Sequence, residues 1–451
     1  MGRYSNYKQS SYDWLGRVPQ HWDEKFLEQT ASEKCVKNSR NTVKQVLSLS
    51  YGEIKKKNNL NKGLIAQDLS TYQIVEPGDI IMRLTDLQND HKSLRTGIVK
   101  NKGIITAAYL CLCPKINPEY LHYTLRAYDV KKVFYGMGGG VRQSIGFKDV
   151  RHMYVPVPPR AEQDQIVRFL DWKVSEINKL ISIKRCQISL LDEAMERKIS
   201  DVIIHGLSAN VPLKESGTKW IGALPANWQV IRCKYLFKER DQRSETGEEQ
   251  HLSMSQKYGL IPDRMLDEHR MLSASYKGGK ICYKDDLVLN RLKAHLGVFA
   301  LAPQFGVISP DYTVLVPNTE KILPIFAETV LKSRRCRREL QIRVRGIIEG
   351  FWRLYTDDFY TIVIPVPSLD EQRDIMDYIS STEKRISNYV DTIKKEINVL
   401  KELKTRIISD VVTGKIDVRN IPVPAYEHVD NLTADDGEGN DEETGIPGEE
   451  D

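Results

Sequence analysis

"VPVPPRAEQDQI", residues 155–166, returns as "IPVPSLDEQRDI", residues 364–375. Pro156-Val157-Pro158 matches Pro365-Val366-Pro367, Glu162-Gln163 matches Glu371-Gln372, and the offset is 209 residues throughout. A turn sequence this unusual, used twice, raises the question of an internal repeat. The repeat extends outward from it. "WLGRVPQHW" at 14–22 returns as "WIGALPANW" at 220–228, and "IITAAYLCLCP" at 104–114 as "VISPDYTVLVP" at 307–317. "GDIIMRL" at 78–84 echoes "DDLVLNRL" at 285–292 with one insertion, and "KISDVIIHG" at 198–206 echoes "RIISDVVTG" at 406–414. The matches are collinear, so the chain is one unit used twice. Each unit runs from a Trp-Pro-Trp entry, through about 130 residues of strand-rich sequence with Gly, Pro, Asn and Asp turns, to the Pro-Val-Pro stop and a long helix. The middles diverge while the edges and helices stay alike.

The helices follow from periodicity. Apolar residues fall at Ile166, Leu170, Val174, Ile177, Ile181, Ile188, Leu191, Met195, Ile199 and Val202. In the second copy they fall at Ile375, Ile379, Ile386, Val390, Ile393, Ile397, Leu400, Ile407 and Val411. Steps of 3, 4 or 7 make a coiled-coil seam. Proline precedes each helix and Gly206 and Gly414 follow, as start and stop signals. About 45 residues at 1.5 Å each gives a rod of roughly 65 Å. Two such stripes bury best against each other, and the return of the chain makes the pair antiparallel. The pairing residues singled out are Leu170, Ile177, Leu191, Ile379, Ile386, Ile393 and Leu400. The fold class is therefore α+β: two repeated units, each a globular mixed α/β domain followed by a long helix, with the helices pairing as an antiparallel coiled coil.

The domain plan reads 1–11 as a tail, 12–153 as the first variable domain and 154–215 as the central helix and linker. It continues with 216–362 as the second variable domain, 363–420 as the distal helix and 421–451 as an acidic disordered tail. That last segment lacks the apolar groups to repay the entropy of folding. Residues 427–451 hold eleven acidic residues and no Lys or Arg, so a net charge of +5 for the whole becomes +16 for the rest. A basic body points to an anionic partner, by default nucleic acid. No apolar run approaches the ~18–20 residues of a membrane span, and the N-terminus carries no apolar signal core. Seven cysteines with no CxxC pair point to a reducing cytoplasm, with no disulfide framework and no zinc site. Cys111 and Cys113 read as buried small hydrophobes.

Two similar domains held apart by a rigid spacer form a ruler. On DNA it would read two short, unlike half-sites across a fixed gap of one to two helical turns. At this point the chain up to about residue 420 resembles the specificity subunit of type I restriction–modification systems. The resemblance rests on "YDWLGRVPQHW" and "SGTKWIGALPANW", on "PVPP…EQ" and "PVPS…EQ", and on "ISDVVTGKIDVR". It implies a non-catalytic subunit with two target-recognition domains that bind a split site on double-stranded DNA. It also implies docking of two methyltransferase (modification) subunits, which methylate adenine at N6, and two restriction (nuclease-translocase) subunits. On the same resemblance no cofactor is expected on this chain, with S-adenosylmethionine, ATP and Mg expected on the partners. The residues agree with a non-catalytic role: the sequence contains no Asn/Asp-Pro-Pro-Tyr/Phe motif for a flipped adenine and no GxxxxGK[ST] loop. "GMGGGVR" at 136–142 reads as a flexible loop or turn, with a loop that brings its backbone close to DNA as the alternative. These missing motifs argue against a nuclease–methyltransferase fused in one chain. A methylation-only or type IIB-like recognition subunit, or a non-enzymatic two-domain DNA-binding scaffold, stays open.

Cationic and flat side chains contact phosphates and base edges. In the first domain the candidates are Arg83, Arg142, Gln143 and Lys148. In the second they are Arg291, Lys293 and His295 in "NRLKAHLG", then Arg345, Trp352 and Arg353 around "GIIEGFWRLYTDD". "KSRRCRREL" at 332–340 is the strongest basic run and reads as the exposed end of a helix, with Arg334, Arg335, Arg337 and Arg338 available to phosphate. Tyr109 and Tyr312 read as core, and the four entry tryptophans as packing groups.

Overall fold

A computed structural model of the chain describes residues 2–430, apart from 13, 58–68, 86, 88–93, 138–144, 209, 256–257, 266–275 and 347–351. It divides into two compact units, Met1–Arg185 with Lys394–Asp451, and Cys186–Ile393. Two long helices, α1 (Arg160–His205) and α2 (Leu369–Val412), are each shared between the units.

Unit one contains a four-stranded antiparallel sheet. Its strands are β1 (Ala31–Lys34), β2 (Ile80–Met82), β3 (Thr96–Ile98) and β4 (Leu110–Pro114), in the order β1-β4-β2-β3. Unit two repeats this with β5 (Phe237–Arg240), β6 (Leu287–Asn290), β7 (Phe299–Leu301) and β8 (Tyr312–Pro317), in the order β5-β8-β6-β7. The centre of each sheet is apolar without alternation because both faces are covered. Ile80, Met82 and Leu112 enter one core and Ile81 and Cys111 another. Leu287, Leu289 and Leu315 are likewise separated from Val288 and Val314.

The repeated Pro-Val-Pro-x-x-x-x-Gln motif now has a physical reason. Tyr154–Val157 pairs with Asp23–Phe26, and Val363–Val366 with Gln229–Arg232. These are two-stranded pairings with a free edge, which tolerate proline's missing N–H. The long helix then starts, and its buried glutamine ties three pieces of chain together. Gln163 donates to the Pro158 carbonyl (2.8 Å) and accepts from the Asn117 N–H (3.0 Å). Gln372 donates to the Pro367 carbonyl (3.0 Å) and accepts from the Leu323 N–H (2.8 Å). Asn117 and Leu323 are the N-caps of helices Pro118–Val130 and Pro324–Lys332. The glutamine therefore fixes each domain's own helix to the root of the long one.

Within unit one, Leu170 of α1 shares a core with Ile408, Val411 and Val412 of α2. Lys184 pairs with Glu396 at 2.7 Å. Within unit two, Val202, Ile203 and Ile204 of α1 share a core with Ile375 and Ile379 of α2. The start of one helix lies against the end of the other, which is the expected antiparallel pairing. Of the named pairing residues, Leu170, Ile177, Ile379 and Ile393 are buried, whereas Leu191, Ile386 and Leu400 are half-buried.

Each sheet also carries an ion pair at the same place in the repeat. Lys34 meets Asp79 at 2.6 Å, and Arg240 meets Asp286 at 3.0 Å. Both aspartates are buried. Both also accept the backbone N–H three residues earlier, from Glu76 and from Tyr283 (2.8 Å each). The tight turn needs a left-handed residue just before the aspartate; Gly78 (φ +91°) serves in one copy and Asp285 (φ +68°) in the other.

The entry tryptophans pack as expected, but not equivalently. Trp22 is fully buried, edge-on to Tyr4, and its Nε1 donates to Glu162 Oε1 at 3.0 Å. Tyr4 and His21 complete the cage around that carboxylate. Trp228 is equally buried, yet its Nε1 has no partner among the described residues. Replacing Trp22 by Phe should therefore cost about 1.5–3 kcal/mol more than Trp228→Phe, the worth of a hydrogen bond to a charged group. The lost ring volume is common to both variants. Amide-exchange protection within each unit reads the difference directly; equal losses would show the Glu162 bond to be energetically silent.

Two expectations need correction. Cys111 is buried but Cys113, two residues on and therefore on the same face of the strand, is exposed, because β2 pairs only with Leu110–Leu112 and Cys113 lies beyond that covered stretch. The basic run 332–340 is not the end of the preceding helix. That helix stops at Lys332, and a second, Arg334–Gln341, starts with Ser333 as its N-cap, whose hydroxyl accepts from Cys336 N. A serine with extended backbone breaks the helix and restarts it in a new direction.

Candidate nucleic-acid interface

In unit two the separately chosen candidates converge. The tight turn Arg291–Leu296 follows β6 directly, and Asn290 caps it by accepting from Leu292 N and Lys293 N. Gly297 closes it in the left-handed region (φ +76°), with the Arg337 side chain packed against it. Leu354 N donates to the Arg291 carbonyl, drawing the segment after residue 351 alongside. His295 meets Trp352 edge-on, with ring centres 5.2 Å apart, and Arg345 and Arg353 exchange both backbone hydrogen bonds at 2.8 Å. Arg291, Lys293, His295, Arg337, Arg345, Trp352 and Arg353 thus come from three stretches of chain to one place.

They are not equally available. Lys293, Arg334, Arg335, Arg338, Arg345 and Arg353 are exposed. Arg291 is held by the Asp311 carbonyl (2.6 Å), Arg337 by the Lys332 carbonyl (2.9 Å), and Arg345 by Asp358. Burial pushes the His295 imidazole below its usual pKa, and its Nδ1 is buried without a partner among the described residues. Neutral His295 against Trp352 therefore makes a flat surface rather than a cationic one.

In unit one, Ile145 N donates to the Leu84 carbonyl (3.1 Å), the counterpart of the Leu354–Arg291 tie. Arg83, half-buried at the end of β2, donates its backbone N–H to the Arg95 carbonyl at 2.8 Å. Lys148 is exposed on the short helix Phe147–Val150. Arg142 and Gln143 lie outside the described residues. A second basic region escaped the reading of the sequence. The hairpin Leu47–Ser50 with Glu53–Lys56 carries the run Lys55-Lys56-Lys57, a signal visible in the chain itself. Arg126 holds the hairpin tip by donating to the Gly52 carbonyl and, at 2.9 Å, to that of Thr96. Around this anchor burial pushes His122 down to about 3, and Lys404 on α2 down to about 8.

Among the described residues, no three His, Cys, Asp or Glu side chains stand together to hold a metal ion, and no helix is long and apolar enough to cross a membrane. The candidate surface of unit two is basic and partly aromatic and lies at the end of the central strand β6; in unit one the described candidates are Arg83, at the end of β2, and Lys148.

No protein-family model matches the chain. It is 26% identical over 318 residues to a putative type I restriction enzyme MjaX specificity subunit of Methanocaldococcus jannaschii, covering 68% of this chain and 69% of that protein. It is 24% identical over 342 residues to the type I restriction enzyme MjaVIII specificity subunit of the same organism, covering 71% and 76%. Among solved structures, a chain from work on complex assembly and conformational transition of the type I R-M system superposes with a TM-score of 0.60 at 15% identity. That match covers 88% of this chain and 99% of the other, and it is a likeness of fold. In sequence the chain is thus similar to specificity subunits of type I restriction enzymes, and in fold to a chain of the type I R-M system.

Proposed function

We propose that the chain is the DNA-reading subunit of a type I restriction–modification complex. Each unit's basic surface reads one half of an asymmetric bipartite site on double-stranded DNA, and the paired helices set the gap and dock two methyltransferase subunits. Two restriction subunits complete the assembly in the cytoplasm. S-adenosylmethionine, ATP and Mg sit on those partners, and this chain takes no chemical step. The observation that carries the reading is the repeat itself. One scaffold, with the same sheet order, ion pair and glutamine clamp, presents two different sets of side chains at the same strand end. Cations there bind phosphate regardless of sequence, while the side chains that differ between the units choose the bases.

The test is a genome-wide map of N6-methyladenine in cells carrying the chain with its methyltransferase, against cells lacking this chain alone. A motif of two short unlike halves around a fixed gap should vanish with the chain. Persistence of every methylated motif, with the methyltransferase present, would overturn the proposal.

A further inference from the structure

The C-terminal segment after α2 does not leave the body at residue 421. Gln165 on α1 donates to the Ile421 carbonyl at 2.8 Å. Ser175 donates to the Glu427 carbonyl (2.8 Å) and accepts from Val429 N (2.6 Å). Asn178 donates to the Val429 carbonyl at 2.9 Å, and Lys179 pairs with Glu427 at 3.1 Å. Ser175 and Asn178 are buried polar side chains on the face of a long helix; the strap satisfies Ser175 and the amide donor of Asn178, whose oxygen accepts from Lys404 at 3.0 Å. The strap delivers Asp430 to Lys100, 2.7 Å away, on the turn after β3, and Lys100 holds the Asp430 carboxyl below the usual range.

Lys100 opens a basic rim. Lys102 is two residues on; Ile104 N donates to the Gln45 carbonyl and Lys57 N to the Val46 carbonyl, which draws Lys44, Lys56 and Lys57 into the same neighbourhood. Lys100 and Lys102 have side chains 62% and 58% exposed, and Lys44 and Lys56 are exposed as well. Beyond Asp430 the sequence carries nine further acidic residues and no cation in 21 positions, a length that reaches up to about 70 Å when extended. A strap built into the core of unit one therefore carries a polyanion to the edge of a lysine cluster.

We infer that residues 431–451 occupy this rim (Lys44, Lys56, Lys57, Lys100 and Lys102) as an intramolecular competitor that screens unit one from non-specific DNA. The competitor acts only on the electrostatic, sequence-independent component of binding, which falls steeply with salt. Specific DNA displaces it because base contacts add affinity that the tail cannot match. The inference rests on the DNA-reading role for its consequence, but not for the contact itself.

Two measurements on the full chain in its complex separate these. Carbodiimide coupling joins carboxylates to lysines that touch them. Because no Lys or Arg follows Arg419, trypsin releases 420–451 as one peptide. Coupling of that peptide to Lys44, Lys56, Lys57, Lys100 or Lys102, through carboxylates beyond Asp430, is expected. Coupling spread evenly over lysines elsewhere overturns the inference. The second measurement is affinity for unrelated duplex DNA at low and high salt. It compares the intact chain, a chain ending at Asp430, and a chain with the nine carboxylates changed to amides. Both variants should bind roughly tenfold tighter at low salt and within about twofold at high salt. A gain on truncation but not on amidation, or none in either, overturns it. Coupling to the rim without any DNA binding would instead remove the DNA-reading role and leave the tail contact standing.

Discussion

Exchanging residues 216–362 for the matching segment of a relative with another target will rewrite one half of the methylated sequence and leave the other half and the gap unchanged. The segment runs from the second entry to the residue before strand Val363–Val366, and carries the core of unit two up to that strand. At the cut, Gln229–Arg232 meets Val363–Val366 through backbone hydrogen bonds, which any strand of the same register provides. The Gln372 clamp takes a backbone N–H, that of Leu323, so it too is indifferent to the incoming side chains. The gap stays because α1 and α2 are untouched. Specific binding exceeds non-specific binding by about 10³–10⁷-fold, so the switch should be close to complete in a methylation map. Change in both halves, or loss of all modification from an intact complex, would defeat the modular reading.

The second large effect is on stability. Arg240→Ala should lower the opening free energy of β6 by about 3–5 kcal/mol, because it leaves a buried carboxylate without its cation. Arg240 grips Asp286 through Nε and Nη2, at 3.0 and 3.3 Å, and lies over the Tyr283 ring. Asp286 also holds the turn through Tyr283 N, so the stranded charge cannot leave without opening it. Removing both partners, Arg240→Ala with Asp286→Ala, should recover part of the loss. Hydrogen exchange of the Leu287–Asn290 amides is the measurement, since it reports one unit at a time. A loss below 1 kcal/mol, or a double variant worse than the sum of the singles, would show that the pair is not a buried unit. The unit-one equivalent, Lys34→Ala, should cost less, because a single ammonium contact replaces the bidentate grip. Burial lowers the Lys34 pKa, but the Asp79 bond and charge outweigh it and raise the net value.

The α+β repeat and the helix pair were legible because they leave local traces: a period of 3.6 in the apolar residues, and punctuation repeated at a fixed offset. The ion pairs were not. Lys34 and Asp79 are 45 positions apart and fall into contact only when β1 and β2 flank β4, an order no periodicity encodes. Comparing the two copies position by position would have exposed them, since Lys34 and Arg240, and Asp79 and Asp286, hold the same places. The role of the glutamine was hidden for the same reason: its partners are backbone groups of a helix cap 46 or 49 residues earlier. The candidate DNA contacts were half legible. Residue type suggested Arg291 and Arg345, but only the folded turn shows Arg291 spent on a carbonyl and Arg345 on Asp358. The strap at 421–430 was read as part of the disordered tail for want of apolar groups, but it is held by hydrogen bonds to Ser175 and Asn178, some 250 positions earlier, which no pattern in the segment itself records.

The sharing of α1 and α2 between the units has a consequence for synthesis on the ribosome. Unit two is one continuous stretch, Cys186–Ile393, whereas unit one combines the first 185 residues with those from Lys394 onward. Domains ordinarily complete in the order they are made. Here the middle of the polypeptide can close its core while the first-made portion still waits for Ile408, Val411 and Val412. Until those residues emerge, the apolar face of the first half of α1 is a nascent surface open to chaperones, and a premature stop before residue 408 leaves it so permanently.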